Sequence, residues 1–455
     1  MTPRPMVSAA RPTKIRPRGA AAAPRLAKAA LLGLCLTAAL CAQAAQAVDA
    51  IADLETAKPA PLPEPGQPRL SLRQLVQAVL DHNTELRSVQ QSGVTAQAAV
   101  ASAAALPNPR LEWSRGDNKA RLPSAIPGSV QSLGVALPIE MPSLRSARIE
   151  AAQAGQRASV QQIAAARNAL VAQVRLRAYE VVLREAQARA AQDAVQLLEQ
   201  VHERVRVRVS SGEAPRYEVI KADAELINAR QQEQTARLLV QQSQLTLNRL
   251  AAGQLPAQFS LALSLVDEVD ESRLQHIDWQ QHPELQQLQS ELDKAQAQHR
   301  GAKASRWPGL ELRYAQTREP DIRNNTVGVA LQIPLFDQRR GPIDEAASEA
   351  QRMHLRLQGR RAELEQQLQQ AWKALEMAQV RSKALSEGAV HEAEAALRVA
   401  EAAYRFGERG ILDVLDAQRV LRSVRADLLQ ARYELQAARI ELDFLAGRHG
   451  DASAL

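Results

Sequence analysis

Two stretches of the chain alternate between apolar and polar residues with a period of two: "VQSLGVALPI" (130–139) and "TVGVALQIPLF" (326–336). In the second, Val327, Val329, Leu331 and Ile333 fall on one face, the pattern of a strand with one side in an apolar environment. Each stretch follows a shorter alternating run, "RLEWSR" (110–115) and "LELRYAQ" (310–316). The segments between partners are rich in Gly, Pro, Asn and Asp, as hairpin loops are. The pattern predicts two β-hairpins, with strands near 109–115, 130–139, 309–316 and 326–336.

Most of the remaining chain reads as helix. Ala/Gln-rich stretches at 84–105 and 284–305 precede the hairpins, and upstream Ser71 with Gln74 gives the S-x-x-Q signature of a capped helix start. After each hairpin comes a tract without proline, one between Pro142 and Pro215 and one from Pro342 onward. A helix from Ile149 to Ser210 would be a rod of about 90 Å at 1.5 Å per residue. The column Val160, Val174, Val181, Ala188, Val195 repeats every seven or fourteen residues, interrupted by Arg167, so its seam resembles a coiled coil without being a strict zipper. Both tracts break at glycine turns, "SSGEAP" (210–215) and "FGERG" (406–410), and then resume as helix. A helix that runs out, turns and returns is an antiparallel helical hairpin.

These elements occur twice. Glu85-Leu86 returns as Glu284-Leu285, and "PRLEW" (109–113) as "PGLEL" (308–312), both at an offset of 199. "GVAL" (134–137) returns at 328–331, Gly212-Glu213 at Gly407-Glu408, and "YEVIKA" (217–222) at "LDVLDA" (412–417). The order is kept throughout, so the chain contains a duplicated unit of about 195 residues. Its expected divisions are a first copy over 70–255, a connector over 256–280, a second copy over 281–447 and a short tail at 448–455.

Composition agrees with long helices and with no single large core: aromatics are 3% of 455 residues, and Ala, Gln, Leu, Arg and Glu dominate. The net charge of +7 would suggest nucleic acid, but its placement removes that reading. Residues 1–47 hold seven basic groups and no acidic one, leaving 50 basic against 50 acidic residues beyond them. That first segment has a basic run to Lys28, an apolar stretch from Ala29 to Ala42 and the small-x-small site Ala45-Gln46-Ala47, as a signal peptide has. Its apolar stretch is short of the roughly 20 residues a spanning helix needs. Both cysteines, Cys35 and Cys41, lie within it, and Leu40 before Cys41 is larger than the residue that should precede a lipidated cysteine. A retained anchor and a lipoprotein are the alternatives. Residues 48–69 form a proline-rich segment, "KPAPLPEPGQPR" at 58–69.

No later segment has 18 consecutive apolar residues, so any membrane passage must be made by strands. Four strands cannot close a transmembrane barrel, whose practical minimum is eight, and open edges are not tolerated in lipid. Strands crossing a membrane must therefore be pooled from several chains. The plain alternative is a pair of surface hairpins on a water-soluble protein.

The duplication, "ALPNPRLEW" (105–113) before the first strand and "FGERGILDVLDAQRVL" (406–421) at the second helical turn resemble the TolC-like outer-membrane efflux family over residues 70–447. "LPIEMPSLRSARIEAAQA" (137–154) and "GEAPRYEVIKADAEL" (212–226) are most similar to its heavy-metal branch, of the cobalt–zinc–cadmium type. The resemblance implies a mainly α fold with a β-barrel contribution. Three chains would close a twelve-stranded barrel in the outer membrane, continued by a periplasmic α-helical barrel. It also implies a periplasmic adaptor, an inner-membrane pump of the resistance–nodulation–division type, and contact with outer-membrane lipid.

It further implies a gate at the helical turns, carried by Tyr404, Arg409, Asp413 and Asp416, with Glu218 as counter-charge. Arg409 and Glu218 would pair across neighbouring hairpins in the closed state. Asp413 and Asp416, repeated by threefold symmetry, would ring the entrance with six carboxylates that favour cations. In the first copy Glu218 aligns with Asp413, and Lys221 stands where the second acid would be. Without the resemblance, the two aspartates would read as decoration of a solvated helix face. Gly212, Gly407 and Gly410 permit tight turns and, more sharply, would dock the adaptor.

No phosphate-binding loop, catalytic triad or nucleophile elbow is present, so neither an enzyme nor an energy-coupling unit is expected. No resident metal or cofactor is expected either: the histidines (82, 202, 276, 282, 299, 354, 391, 449) are scattered, with no i, i+4 pair. A duct for drug efflux or type I secretion, and a periplasmic coiled-coil scaffold without a pore, remain as other readings.

Overall fold

The computed structural model describes residues 68–119, 121, 123–124, 126–266 and 279–448. The signal-peptide segment with Cys35 and Cys41, residues 48–67, most of the connector with His276, and the tail from His449 lie outside the described residues.

A two-residue strand β1 (Arg69–Leu70) leads into α1 (Leu72–His82), whose start is a capping box: Ser71 Oγ accepts from the Gln74 amide, and the Gln74 side chain accepts from the Ser71 amide. Helix α2 (Thr84–Ala104) is capped by Asn83, whose Oδ1 accepts from the Leu86 amide at 2.8 Å. The hairpin β2 (Arg110–Asn118) and β3 (Gly128–Ile139) follows. Then α3 runs unbroken over Pro142–Ser210, 69 residues and about 100 Å, with proline at its first position where no amide is needed. Helix α4 (Arg216–Leu250) returns along it, ending at β4 (Ser260–Leu261), which pairs in parallel with β1.

The second copy repeats the order. Helix α5 (Pro283–Ala304) precedes the hairpin β5 (Gly309–Arg318) and β6 (Arg323–Gln332). Strand β6 ends at Gln332, short of the expected 336, because Pro334 has no amide to continue a ladder; Ile333 is therefore not part of the strand. Helix α6 (Arg340–Ala384) passes through one π turn, Leu385–Ala389, into α7 (Val390–Arg405), and α8 (Ile411–Leu445) returns.

Helix α3 packs along α4, α5 and α8, while α8 packs on α6 and α7. Of the heptad column, Val174, Val181, Ala188 and Val195 are buried, but Val160 is exposed. Among the described residues the apolar interior is divided into three clusters, as expected of a chain poor in aromatics. One joins α1, α3 and α4 around Phe259. A second joins α3, α4 and α8 near the helical turns, and a third joins α5, α6 and α8.

The two hairpins do not stand apart. Strand β3 pairs with β5 from Gln131↔Arg318 to Ile139↔Leu310, giving one antiparallel four-stranded sheet in the order β2-β3-β5-β6. Residues directly opposite across antiparallel strands point to the same face. Reading across the rows, Leu111, Val135, Tyr314 and Val327 share a face, as do Leu137, Leu312 and Val329, and Ile139, Leu310 and Leu331. This apolar face is bare, with Val327 81% and Leu111 72% exposed. The opposite face carries Arg110, Ala136, Arg313 and Gly328 in one row and Glu112, Gly134, Ala315 and Thr326 in the next. There Arg110 reaches across β3 to Glu311, which Arg313 also holds.

"GVAL" lies in the second strand of both hairpins, in registers displaced by two residues. Gly134 faces Glu112, whereas Gly328 faces Arg313 and not Glu311, the counterpart of Glu112. A two-residue slip keeps every side chain on its original face. Among the described residues no helix is long and apolar enough to cross a membrane.

Candidate functional site

The two helical turns, Ser211–Pro215 between α3 and α4 and Phe406–Gly410 between α7 and α8, are built alike. At the first, the Gly212 amide donates to the Val209 carbonyl and the Glu213 amide to that of Arg208. At the second, Gly407 donates to Tyr404 and Glu408 to Ala403. Each is a Schellman motif with glycine in the left-handed region, at φ +82° for Gly212 and +74° for Gly407. Gly410 differs. It caps α8 with φ −79° and ψ 167°, a conformation open to any residue, so the turn does not require glycine there. A Cβ on Gly410 would lie 3.9 Å from Glu218 Oε1, an ordinary contact.

Tyr404 lies at the end of α7 beside the cluster formed by Val205, Ile411 and Val414. The Arg208 guanidinium lies over its ring, 4.7 Å from the centroid, and Arg208 Nη1 donates to the Tyr404 carbonyl at 3.4 Å. Arg208 Nε also faces Glu213 at 3.6 Å. The turn of the first copy thus grips that of the second through one arginine. The Tyr404 hydroxyl is enclosed without a hydrogen-bond partner.

Arg409 pairs with Asp413, one turn ahead on its own side of the hairpin, at 3.6 Å; within this chain its partner is not Glu218. Glu218, in the first turn of α4, has Oε2 enclosed and unpartnered. Asp413 and Asp416 lie on one exposed strip of α8, together with Leu412, Arg419 and Val420. Asp416 meets Arg419 Nη1 at 3.4 Å, and Arg419 Nη2 donates to Glu225 Oε1 of α4 at 2.5 Å. Arg422 stands 3.8 Å from the other oxygen of Glu225. The hairpins are therefore cross-linked above the turns by Glu225 between two arginines, with Asp416 at the open end of the chain of charges.

Arg208, Glu225 and Arg419 were not among the residues that the sequence singles out. Charged residues on long helices are too numerous for one to stand out, and only proximity selects these. Among the described residues no cluster of three His, Asp or Glu side chains could hold a metal ion.

The profile of the family described as outer membrane efflux protein matches residues 75–253 and 279–448. The chain is 23% identical over 384 residues to the cobalt-zinc-cadmium resistance protein CzcC of Cupriavidus metallidurans, covering 83% of this chain and 90% of that protein. Among solved structures it resembles CusC, with a TM-score of 0.72 and 19% identity over 86% of this chain and 97% of the other. The open state of the Neisseria gonorrhoeae MtrE outer membrane channel gives a TM-score of 0.70 and 20% identity, over 83% and 88% of the two chains.

Proposed function

The chain belongs to the outer membrane efflux protein family, and from that premise we propose that it is the exit duct of a tripartite efflux system for heavy-metal cations. The observation that carries this reading is the four-stranded sheet with one bare apolar face, one polar face and free edges at β2 and β6. Its strands are 9 to 12 residues long, the length that crosses a bilayer at a tilt. Lipid accepts no open edge, so three copies close twelve strands into one barrel, with the apolar face in lipid and the Arg110 and Glu112 rows toward the lumen. The helical hairpins continue the barrel as a periplasmic tube.

The helical turns form the entrance. Asp413 and Asp416, exposed on α8, line it with six carboxylates in the trimer and favour cations. In the closed state Glu218 pairs with Arg409 of a neighbouring hairpin, and that pair holds the entrance shut. Gly212, Gly407 and Gly410 form the surface met by a periplasmic adaptor, and an inner-membrane pump supplies the energy. The assignment of cargo to heavy metals is supported by the likeness to CzcC.

Growth of a deletion strain in graded zinc, cobalt, cadmium, nickel, copper and silver, beside a panel of hydrophobic drugs, tests the reading. Metal sensitivity restored by the gene supports it and identifies the cation. Sensitivity to drugs alone keeps the duct and overturns the cargo.

A further inference from the structure

Between the cluster near the turns and the one around Phe259, helices α3 and α8 do not close on each other. Ala186, Ala190 and Ala194 recur one turn apart on α3, and these short side chains leave a cleft of about 680 Å³. That volume lies within the range of small-molecule sites, roughly 300–1,000 Å³. Its apolar walls come from Leu197 of α3, Leu397 of α7, and Leu421 and Leu428 of α8.

The polar lining is one-sided. Arg189, Arg422 and Arg425 face the cleft with a single carboxylate, Asp193. Arg425 is held by Glu394 at 2.7 Å and Arg422 by Glu225 at 3.8 Å, neither carboxylate being part of the lining. Arg189 has no ion-pair partner among the described residues; Glu185 and Asp193 stand one helical turn to either side of it. In the floor, Gln418 is only 3% exposed, yet neither atom of its amide has a hydrogen-bond partner, and neither does Arg422 Nε. Buried polar atoms are ordinarily satisfied, so unpaired donors beside a cationic, leucine-walled space suit a ligand with an anionic head and an apolar body.

We propose that this cleft is a binding site for an amphipathic organic anion of drug size, its head on Arg189 and Arg422 and its body against Leu421 and Leu428. Such a ligand touches both helical hairpins at once. It therefore favours the arrangement in which the cleft exists and restrains movement of one hairpin past the other. The site is separate from the carboxylates of the entrance and does not depend on which cargo the duct carries.

The probe is 8-anilinonaphthalene-1-sulfonate, titrated by fluorescence against the full chain in nanodiscs of zwitterionic lipid, with empty discs subtracted. Saturable binding is expected, weakened about tenfold by Arg189→Gln, the scale of one charge-assisted hydrogen bond. Ala190→Phe, which fills open space, should abolish it while leaving the melting temperature near that of the parent. Decyl sulfate should displace the probe, and decyltrimethylammonium should not. Equal binding by the parent and Arg189→Gln, non-saturable binding, or equal displacement by the cation would each overturn the proposal. If Ala190→Phe fails to fold, Arg189→Gln and the two competitors decide it.

Discussion

Glu185 is 6% exposed in the middle of α3, with Oε1 unpartnered. Burial lifts its carboxyl from the ordinary 4.5 to about 6, against a smaller opposing pull from Arg189. The folded chain therefore keeps a proton between those values that the unfolded chain has released. Its contribution to stability is fully present below about 4.5 and is lost as pH rises through about 6. Glu185→Gln should raise stability at neutral pH by about 2 kcal/mol and flatten that fall, as denaturant melts at pH 4.5, 6 and 7.5 would show. On the proposal that they line the entrance, replacing Asp413 and Asp416 by Asn should move the zero-current potential in a salt gradient toward zero. A value equal to the parent's would place both aspartates off the conduction path. The aspartates were singled out in the sequence only through the family resemblance, since the duplication sets Lys221 opposite Asp416 and a pair of acids on a long helix is otherwise unremarkable. Arg208 and Gln418 were not, since their importance lies in a ring and a cleft contributed by segments far along the chain.

The turns also allow discrimination between elements that the sequence presents as equal. Three glycines mark them, but only Gly212 and Gly407 hold a positive φ. Alanine at either should cost about 1–2 kcal/mol, whereas Gly410→Ala, which loses only the N-cap preference of glycine over alanine, should cost about 0.5 kcal/mol, a contrast visible in thermal melts. Should Gly410→Ala nevertheless abolish cross-linking to an adaptor, its role would lie in docking and not in the backbone. The long helices were legible from the absence of proline and from their periodicity. The π turn at Leu385–Ala389 was not, yet it has a physical account. Leu364, Ala371 and Ala378 are buried at intervals of seven, and the next buried position is Ala393 where that spacing would give 392. One inserted residue in the π turn restores the apolar seam to its partner.

At the scale of the molecule, the alternation of β3 and β6 was plain in the sequence because a period of two survives in any context. The pairing of β3 with β5 was not, because nothing in a single sequence says which strand of one copy meets which of the other. That pairing puts the apolar residues of both hairpins on one continuous face. Val329→Lys on that face should cost about 2–4 kcal/mol near the bilayer midplane and lower the yield of heat-stable oligomer in outer-membrane fractions. Thr326→Lys on the opposite face should leave the yield near the parent's. Equal losses from both would argue against lipid on the apolar side.

The free edges of the sheet, β2 and β6, come from different copies of the repeat. Chains joined through them therefore join head to tail, one edge never meeting its like. A chain with β6 blocked still presents a sound β2, so it is accepted by a growing ring and then prevents its closure. Such a variant is expected to be genetically dominant. Expressed beside the normal chain it should poison mixed assemblies, whereas a chain blocked at both edges is never admitted and should be recessive.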